Sequence, residues 1–298
     1  LTAEKALARA LSDYRLTMNT REPGILEDRD IEALHEFRVA LRRTRSLIKH
    51  VDQLRETSAV RRFRRDFGWL ARGTGPQRDL DVFLAQLDEP PKSLNRESEV
   101  LQPMREVVQS RRRVTHARVV RVLHSSRYRQ LKADWFHFLN GLRAQTTSTE
   151  RLRRETNTAI DRAFRKVGKR GRTMATGIKS KRLHQLRKDG KELRYLLEAF
   201  SDLYGQRLVA PLVGDLKNLQ NTLGIVCDLD VQREMILETV SDKRACLPGP
   251  TAKALRRWAV ALQKRRRAAK KECAGPYARL MCQRNREALK LLIGDANP

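Results

Sequence analysis

Two stretches decide the fold: His35-Glu36-Phe37-Arg38-Val39-Ala40-Leu41-Arg42-Arg43-Thr44-Arg45 and His184-Gln185-Leu186-Arg187-Lys188-Asp189-Gly190-Lys191-Glu192-Leu193-Arg194. In the first, Leu34, Phe37, Leu41, Thr44 and Ile48 recur at i, i+3, i+7, i+10 and i+14, the stripe of a helix that buries one face. Leu183, Leu186, Gly190, Leu193 and Leu197 repeat that spacing in the second. Working outward, Leu, Ala, Arg, Glu, Lys and Gln dominate and alternating β-branched runs are absent, so the chain reads as all-α. Breaks are expected at Pro23-Gly24, Gly73, Gly75-Pro76, Pro90-Pro91, Thr146 to Thr149, Gly168 to Gly177, Gly205, Gly224 and Pro248-Gly249-Pro250, giving about four to six helices in each half.

The two stretches lie 184 − 35 = 149 residues apart, and that interval holds beyond them. Arg42 falls on Lys191 and Arg45 on Arg194; Asp79-Leu80-Asp81-Val82 falls on Asp228-Leu229-Asp230-Val231. Gly75 falls on Gly224, Arg118 on Arg267, Arg121 on Lys270 and Tyr128 on Tyr277, all without a gap. So long a period points to two duplicated helical bundles rather than a solenoid of short units. The expected division is residues 1–148 and 149–298, with the boundary in the Thr146–Thr149 tract.

Composition narrows the class. There are 63 Lys plus Arg against 35 Asp plus Glu, a formal net charge of +28, and 40% of the residues are apolar. Enough apolar residues are present for packed cores, which excludes a disordered basic tail. No run approaches the roughly 20 apolar residues of a spanning helix. Cys227, Cys246, Cys273 and Cys282 share no close spacing and read as buried or incidental thiols of a reducing compartment. No charged-then-apolar signal segment is read near Leu1. These features lead us to expect a soluble cytoplasmic protein that holds a polyanion and has no membrane partner.

The ligand-binding candidates lie on the two quoted helices. His35, Arg38, Arg42, Arg45 and Lys49 each follow a member of the apolar stripe by one residue. At about 100° per residue they form a basic row flanking the buried face, with stems partly covered and charged heads at the groove between helices. The second copy supplies His184, Arg187, Lys188, Lys191 and Arg194; Glu198 stands where the first has Lys49, so this row is shorter. A solvated helix face normally mixes signs to gain i,i+4 pairs. A row of one sign repels itself and is offset by a bound anion. Arg forks grip phosphate oxygens, Lys adds a point charge and His donates near neutral pH. No carboxylate lies on the rows, which argues against a metal site or an acid–base pair.

Further candidate contacts are Arg78, Arg118, Arg121, Lys217, Arg267 and Lys270. Asp79, Asp81, Asp228 and Asp230 suit helix starts, and Gly190 in mid-helix suggests close approach of another backbone. Tyr128 and Tyr277 are expected to anchor packing. His50, His116, His124 and His137 have no partner pattern.

The pattern His35-x-x-Arg38-x-x-x-Arg42-Arg43-x-Arg45 followed by Gly75-x-x-Arg78-Asp79-Leu80-Asp81-Val82 resembles the CHAD domain, the conserved-histidine α-helical domain. His184-x-x-Arg187-Lys188-x-x-Lys191-x-x-Arg194-Tyr195 and Leu216-Lys217-x-Leu219-Gln220-x-x-Leu223-Gly224 match its second half. The resemblance implies two pseudo-symmetric four-helix bundles around a basic central groove or pore that binds inorganic polyphosphate, with polyphosphate granules as a setting. It also implies a stand-alone member, since no strand pattern supports a triphosphatase barrel beside it. The sequence departs from the pattern at Gly190 and at Cys227, which stands where the first copy has Arg78.

Three function classes follow. The leading one is non-catalytic binding of inorganic polyphosphate, with no cofactor and no metal, and with granule components as further partners. The second is a basic nucleic-acid binder; an aromatic content of 5% leaves few stacking platforms, so nucleic acid is expected only as a non-specific competitor. The third is a phosphohydrolase acting on polyphosphate or triphosphate. It would need metal-binding carboxylates among the basic residues, and no nucleophile elbow, P-loop or HExxH occurs.

Overall fold

The computed structural model describes residues 3–54, 58–88, 99–144, 149–174 and 178–294. Lengths with few β-branched residues and an apolar face at helical spacing become long helices. The first half holds α1 (Ala3–Leu26), α2 (Ile31–Leu54), α3 (Ser58–Asp88), α4 (Gln102–His124) and α5 (Ser126–Ala144). The second holds α6 (Thr149–Gly171), α7 (Ser180–Ala199), α8 (Ser201–Tyr204), α9 (Gln206–Ser241), α10 (Gly249–Glu272), α11 (Ala274–Leu280) and α12 (Gln283–Gly294). Among the described residues there is no strand. None of the helices formed by these residues is long and apolar enough to cross a membrane.

Helices adjacent in sequence pack on one another. The main pairs are α1 with α2, α2 with α3 and α3 with α4, then α6 with α7, α7 with α9 and α9 with α10. Helix α2 also meets α7, and α1 meets α6. The expected stripe Leu34, Phe37, Leu41, Thr44 and Ile48 is buried throughout, as are Leu183, Leu186, Gly190, Leu193 and Leu197. Around Trp135, Phe63 and Phe67 stand edge-on at 4.9 and 5.0 Å, an arrangement favoured by the ring quadrupoles.

Four of the expected breaks are absent, the first because α1 runs through Pro23-Gly24 to end at Leu26. Helix α3 runs through Gly73, Gly75 and Pro76, and α9 runs through Gly224. Each glycine lies beneath an arginine: a Cβ on Gly75 would be in ordinary contact with Arg38 Nη1 at 3.6 Å, and one on Gly224 with Arg187 Nη2 at 3.6 Å. Consequently Asp79, Asp81, Asp228 and Asp230 lie inside helices, not at their starts. The close backbone approach expected at Gly190 is not found among the described residues: what lies near its Cβ position is the Gln220 side chain, at an ordinary contact distance of 3.7 Å. In the first half the same two places hold Leu41 and Ala71, so large and small have exchanged. Among the described residues the second half has seven α-helices, above the expected range. There α8 and α12 are separate pieces where the first half has the single helices α2 and α5.

Gly205 at the start of α9 has φ of 79°, a backbone open to glycine. Tyr128 is buried and donates to Glu22 at 3.0 Å, while Tyr277 donates to the Gly168 carbonyl at 2.8 Å. The Tyr277 ring fills the place a Cβ on Gly171 would need. Both tyrosines anchor packing. The four cysteines are free thiols, with Cys227 and Cys273 buried. His116 sits 3.0 Å from the Ile25 carbonyl, and His50's side chain lies outside the described residues.

Candidate functional site

Helices α2 and α7 bring the two basic rows into contact. Arg42 Nε donates to the Tyr195 hydroxyl across the halves at 3.0 Å. Arg43 and Arg194 lie over the Tyr195 ring at 5.4 and 5.3 Å. This buried tyrosine thereby holds three arginines by one hydrogen bond and two cation–π contacts. Glu198 closes the end of the second row, 3.4 Å from both Arg43 and Arg194. The shorter second row expected from Glu198 therefore has a structural cause.

The central cation is Lys191. Burial, and next the charges of Arg42, Arg187 and Arg194, lower its pKa to about 7. Asp228 opposes the shift without offsetting burial and the three arginines. Beside it, Arg187 Nε is buried with no hydrogen-bond partner among the described residues, a donor that costs free energy until an acceptor arrives. Cys227 shares this neighbourhood, and burial pushes its thiol up to about 11.

The first-half row is better satisfied. Arg38 donates to the Ala71 carbonyl at 3.0 Å and the Thr74 hydroxyl at 2.9 Å. Burial lowers its pKa, with Arg42, Arg78 and Arg45 adding to that and Asp79 opposing. His35 is likewise lowered, first by burial and then by Arg78. Arg78 donates to the Ile31 carbonyl at 3.5 Å and lines a cleft of about 600 Å³ between α3 and α9. Glu32, Asp81, Asp228 and Arg265 also line that cleft, so it is mixed in sign.

Thus His35, Arg38, Arg42, Arg45 and Arg78 stand together with Arg187, Lys191 and Arg194. Other candidates stand apart. His184 pairs with Asp230 at 3.5 Å. Lys49, Lys188, Lys217, Arg118 and Arg267 are exposed, and no hydrogen bond or ion pair is found for them or for half-buried Lys270 among the described residues. Arg121 donates to the Ala117 carbonyl within its own helix.

The acids are not remote from the rows, contrary to expectation. Asp230 meets His184 and Arg266, Asp79 lies near Arg38, and Asp228 near Lys191. Asp81 and Asp230 act by pairing with arginine. Arg112 grips Asp81 at 2.6 Å and Asp28 through both Nη atoms at 2.6 and 2.5 Å, and Arg266 bonds Asp230 and Ser180. Among the described residues no group of three or more His, Cys, Asp or Glu is placed to hold a metal ion.

Sequence reasoning missed Tyr195 as an organiser, Arg43 as its partner, Arg72 facing Arg45, and the roles of Arg112 and Arg266. The arginine runs at 111–113 and 265–267 were visible signals. Their middle members point inward, whereas the register-matched pairs expected to reach the ligand do not.

Side chains placed in this way define an all-α protein with a partly buried cluster of cations between its halves. The chain belongs to the CHAD domain family, whose match spans residues 9–237. Its fold is similar to the crystal structure of the CHAD domain from the plant Ricinus communis, with a TM-score of 0.77 at 22% identity, covering 93% of this chain and 92% of that one. It is also similar to PptA from Streptomyces chartreusis, with a TM-score of 0.67 at 17% identity, covering 94% of this chain and 99% of that one. Comparison with curated proteins gives no match.

Proposed function

We propose that this protein binds inorganic polyphosphate without cleaving it, between two bundles that are copies of one ancestral unit. The observation that carries the reading is the Arg42–Arg187–Lys191–Arg194 cluster, in which a lysine pKa is depressed and an arginine donor is buried unpartnered. A linear chain of phosphates supplies closely spaced anionic oxygens along such a row. Arg187 gains its acceptor and Lys191 its counter-charge in one step.

The duplication has support in the element starts. Helix α2 starts at Ile31 and α7 at Ser180, 180 − 31 = 149, and α3 at Ser58 precedes α9 at Gln206 by 206 − 58 = 148. The arginine-over-glycine seat recurs at the same interval. On this reading residues 1–148 and 149–298 are the two bundles, and the rows face each other across a basic groove. Of the Asp residues near the rows, Asp81 and Asp230 are held by arginine, which supports a positioning role for these two.

Titration with linear polyphosphate, in competition with RNA at equal phosphate concentration, tests the binding. Tight, steeply salt-dependent binding that RNA does not displace is expected. Displacement by RNA would favour the nucleic-acid reading, and orthophosphate release from the pure protein with Mg²⁺ or Mn²⁺ would favour a hydrolase.

A further inference from the structure

The repeat reverses its charges at the outer end of the row. Counting 149 residues on, Asp30 becomes Lys179, Glu32 becomes Lys181 and Ala33 becomes Arg182. In the first half Asp30 accepts the Glu32 backbone N–H at 2.7 Å, an acidic first turn that suits the helix dipole. Helix α7 instead begins after Lys179, with no side-chain cap, and carries Lys181 and Arg182 in its first turn. Three cations at the positive end of a helix oppose the dipole. Arg182 is offset by its bonds to carbonyls at the end of α6, whereas Lys179 and Lys181 have no such compensation.

These three residues line a cleft of about 1030 Å³ with Lys166, Lys169 and Arg170 from the end of α6, and among the described residues no carboxylate lines it. The arginines are fixed in place. Arg170 bonds Asp189, and Arg182 donates to the Lys169 and Arg170 carbonyls, each at 3.0 Å. The four lysines are exposed, and among the described residues no hydrogen bond or ion pair is found for their ammonium groups. Cations at the C-terminal end of α6 suit its dipole, which accounts for Lys169 and Arg170. It does not account for Lys179 and Lys181.

Lys181 also continues the central row. Lys181, His184, Lys188 and Lys191 recur at i, i+3, i+7 and i+10 along α7, a path of roughly 15 Å at 1.5 Å per residue. At the other end the row is closed by Glu198 with Arg43 and Arg194. A phosphate chain on α7 is therefore stopped by Glu198 in one direction, and in the other passes His184, paired with Asp230, to reach the basic cleft.

We propose that the α6–α7 corner is an outer subsite for the same linear phosphate polymer, engaged by the part of a long chain that extends past the central rows. This rests on the polyphosphate reading above. The subsite acts through chain length: a short oligophosphate fills the central cluster alone, and a long one occupies both at high effective concentration.

The test restores the first half's residues, Lys179→Asp with Lys181→Glu, alongside a neutral pair, Lys179→Gln with Lys181→Gln. Calorimetric titration compares a long linear polyphosphate with a short oligophosphate, and a thermal melt checks the fold. The expected result is at least a roughly tenfold loss for the long chain, a smaller loss in the neutral pair, no change for the short chain, and an equal or higher Tm. An equal loss at both lengths would be a net-charge effect and would overturn the subsite, as would unchanged long-chain affinity. Those outcomes leave the central reading standing. A native protein that binds neither length overturns the central reading and the subsite with it.

Discussion

The two halves solve the same arginine problem differently. Arg38 and Arg187 each lie over a glycine of the next long helix, Gly75 and Gly224. Arg38 also has the Thr74 hydroxyl and the Ala71 carbonyl as acceptors. Arg187 has Leu223 in place of Thr74, and its Nε is buried without an acceptor. The first-half arginine is thus part of the fold, while the second-half arginine is held ready for something else. The seat recurs 149 residues on, while the acceptors around it do not.

The largest expected break in that comparison concerns the aspartates under the rows. Arg112→Ala removes the partner of Asp81, whose side chain is fully buried, and is expected to destabilise the protein by about 3–5 kcal/mol. Arg266→Ala should cost less, because Asp230 is less buried and keeps His184 at 3.5 Å. Denaturant unfolding of the two variants checks the order. An equal cost would show that the halves use these pairs alike.

A smaller effect separates the two seats. Thr74→Leu, which gives the first half the second half's residue, removes an acceptor from Arg38 and is expected to cost about 1.5–3 kcal/mol in stability. The reciprocal Leu223→Thr offers Arg187 an acceptor, so several-fold weaker polyphosphate binding is expected when isothermal titration is run at fixed salt.

Smallest is the pH response. A bound anion raises the pKa of Lys191 from about 7, so binding takes up a proton at and above neutral pH. Affinity is then full below pH 7 and falls as pH rises, by at most about tenfold per pH unit. Lys191→Arg keeps the charge at every pH and should flatten that part of the profile. A wild-type profile as flat as the variant's would remove Lys191 from the site.

Much of this was legible in the sequence because helical periodicity is local. The buried stripes from Leu34 to Ile48 and from Leu183 to Leu197 follow from spacing alone, as does the repeat. What was not legible depends on how helices rotate against each other. Gly75 and Gly224 read as helix ends because glycine ends helices, yet here each accommodates an arginine from a neighbouring helix. Tyr195 has Ser46 as its counterpart, so the repeat gave no hint that one tyrosine would serve both rows. Likewise Arg112 and Arg266 do not fall in register, since 112 + 149 = 261 is Ala261. The same job was taken up from a different turn of α4 and α10.

The central claim is that the second-half cluster is the ready part of the site. Its most direct test is polyphosphate titration of the native protein and of Arg187→Ala with Lys191→Ala, each at two salt concentrations. Two charge-assisted contacts at about 1.5–3 kcal/mol each correspond to a loss of about 10²–10⁴-fold, with a shallower salt dependence. An affinity and a salt slope equal to those of the native protein would contradict the account.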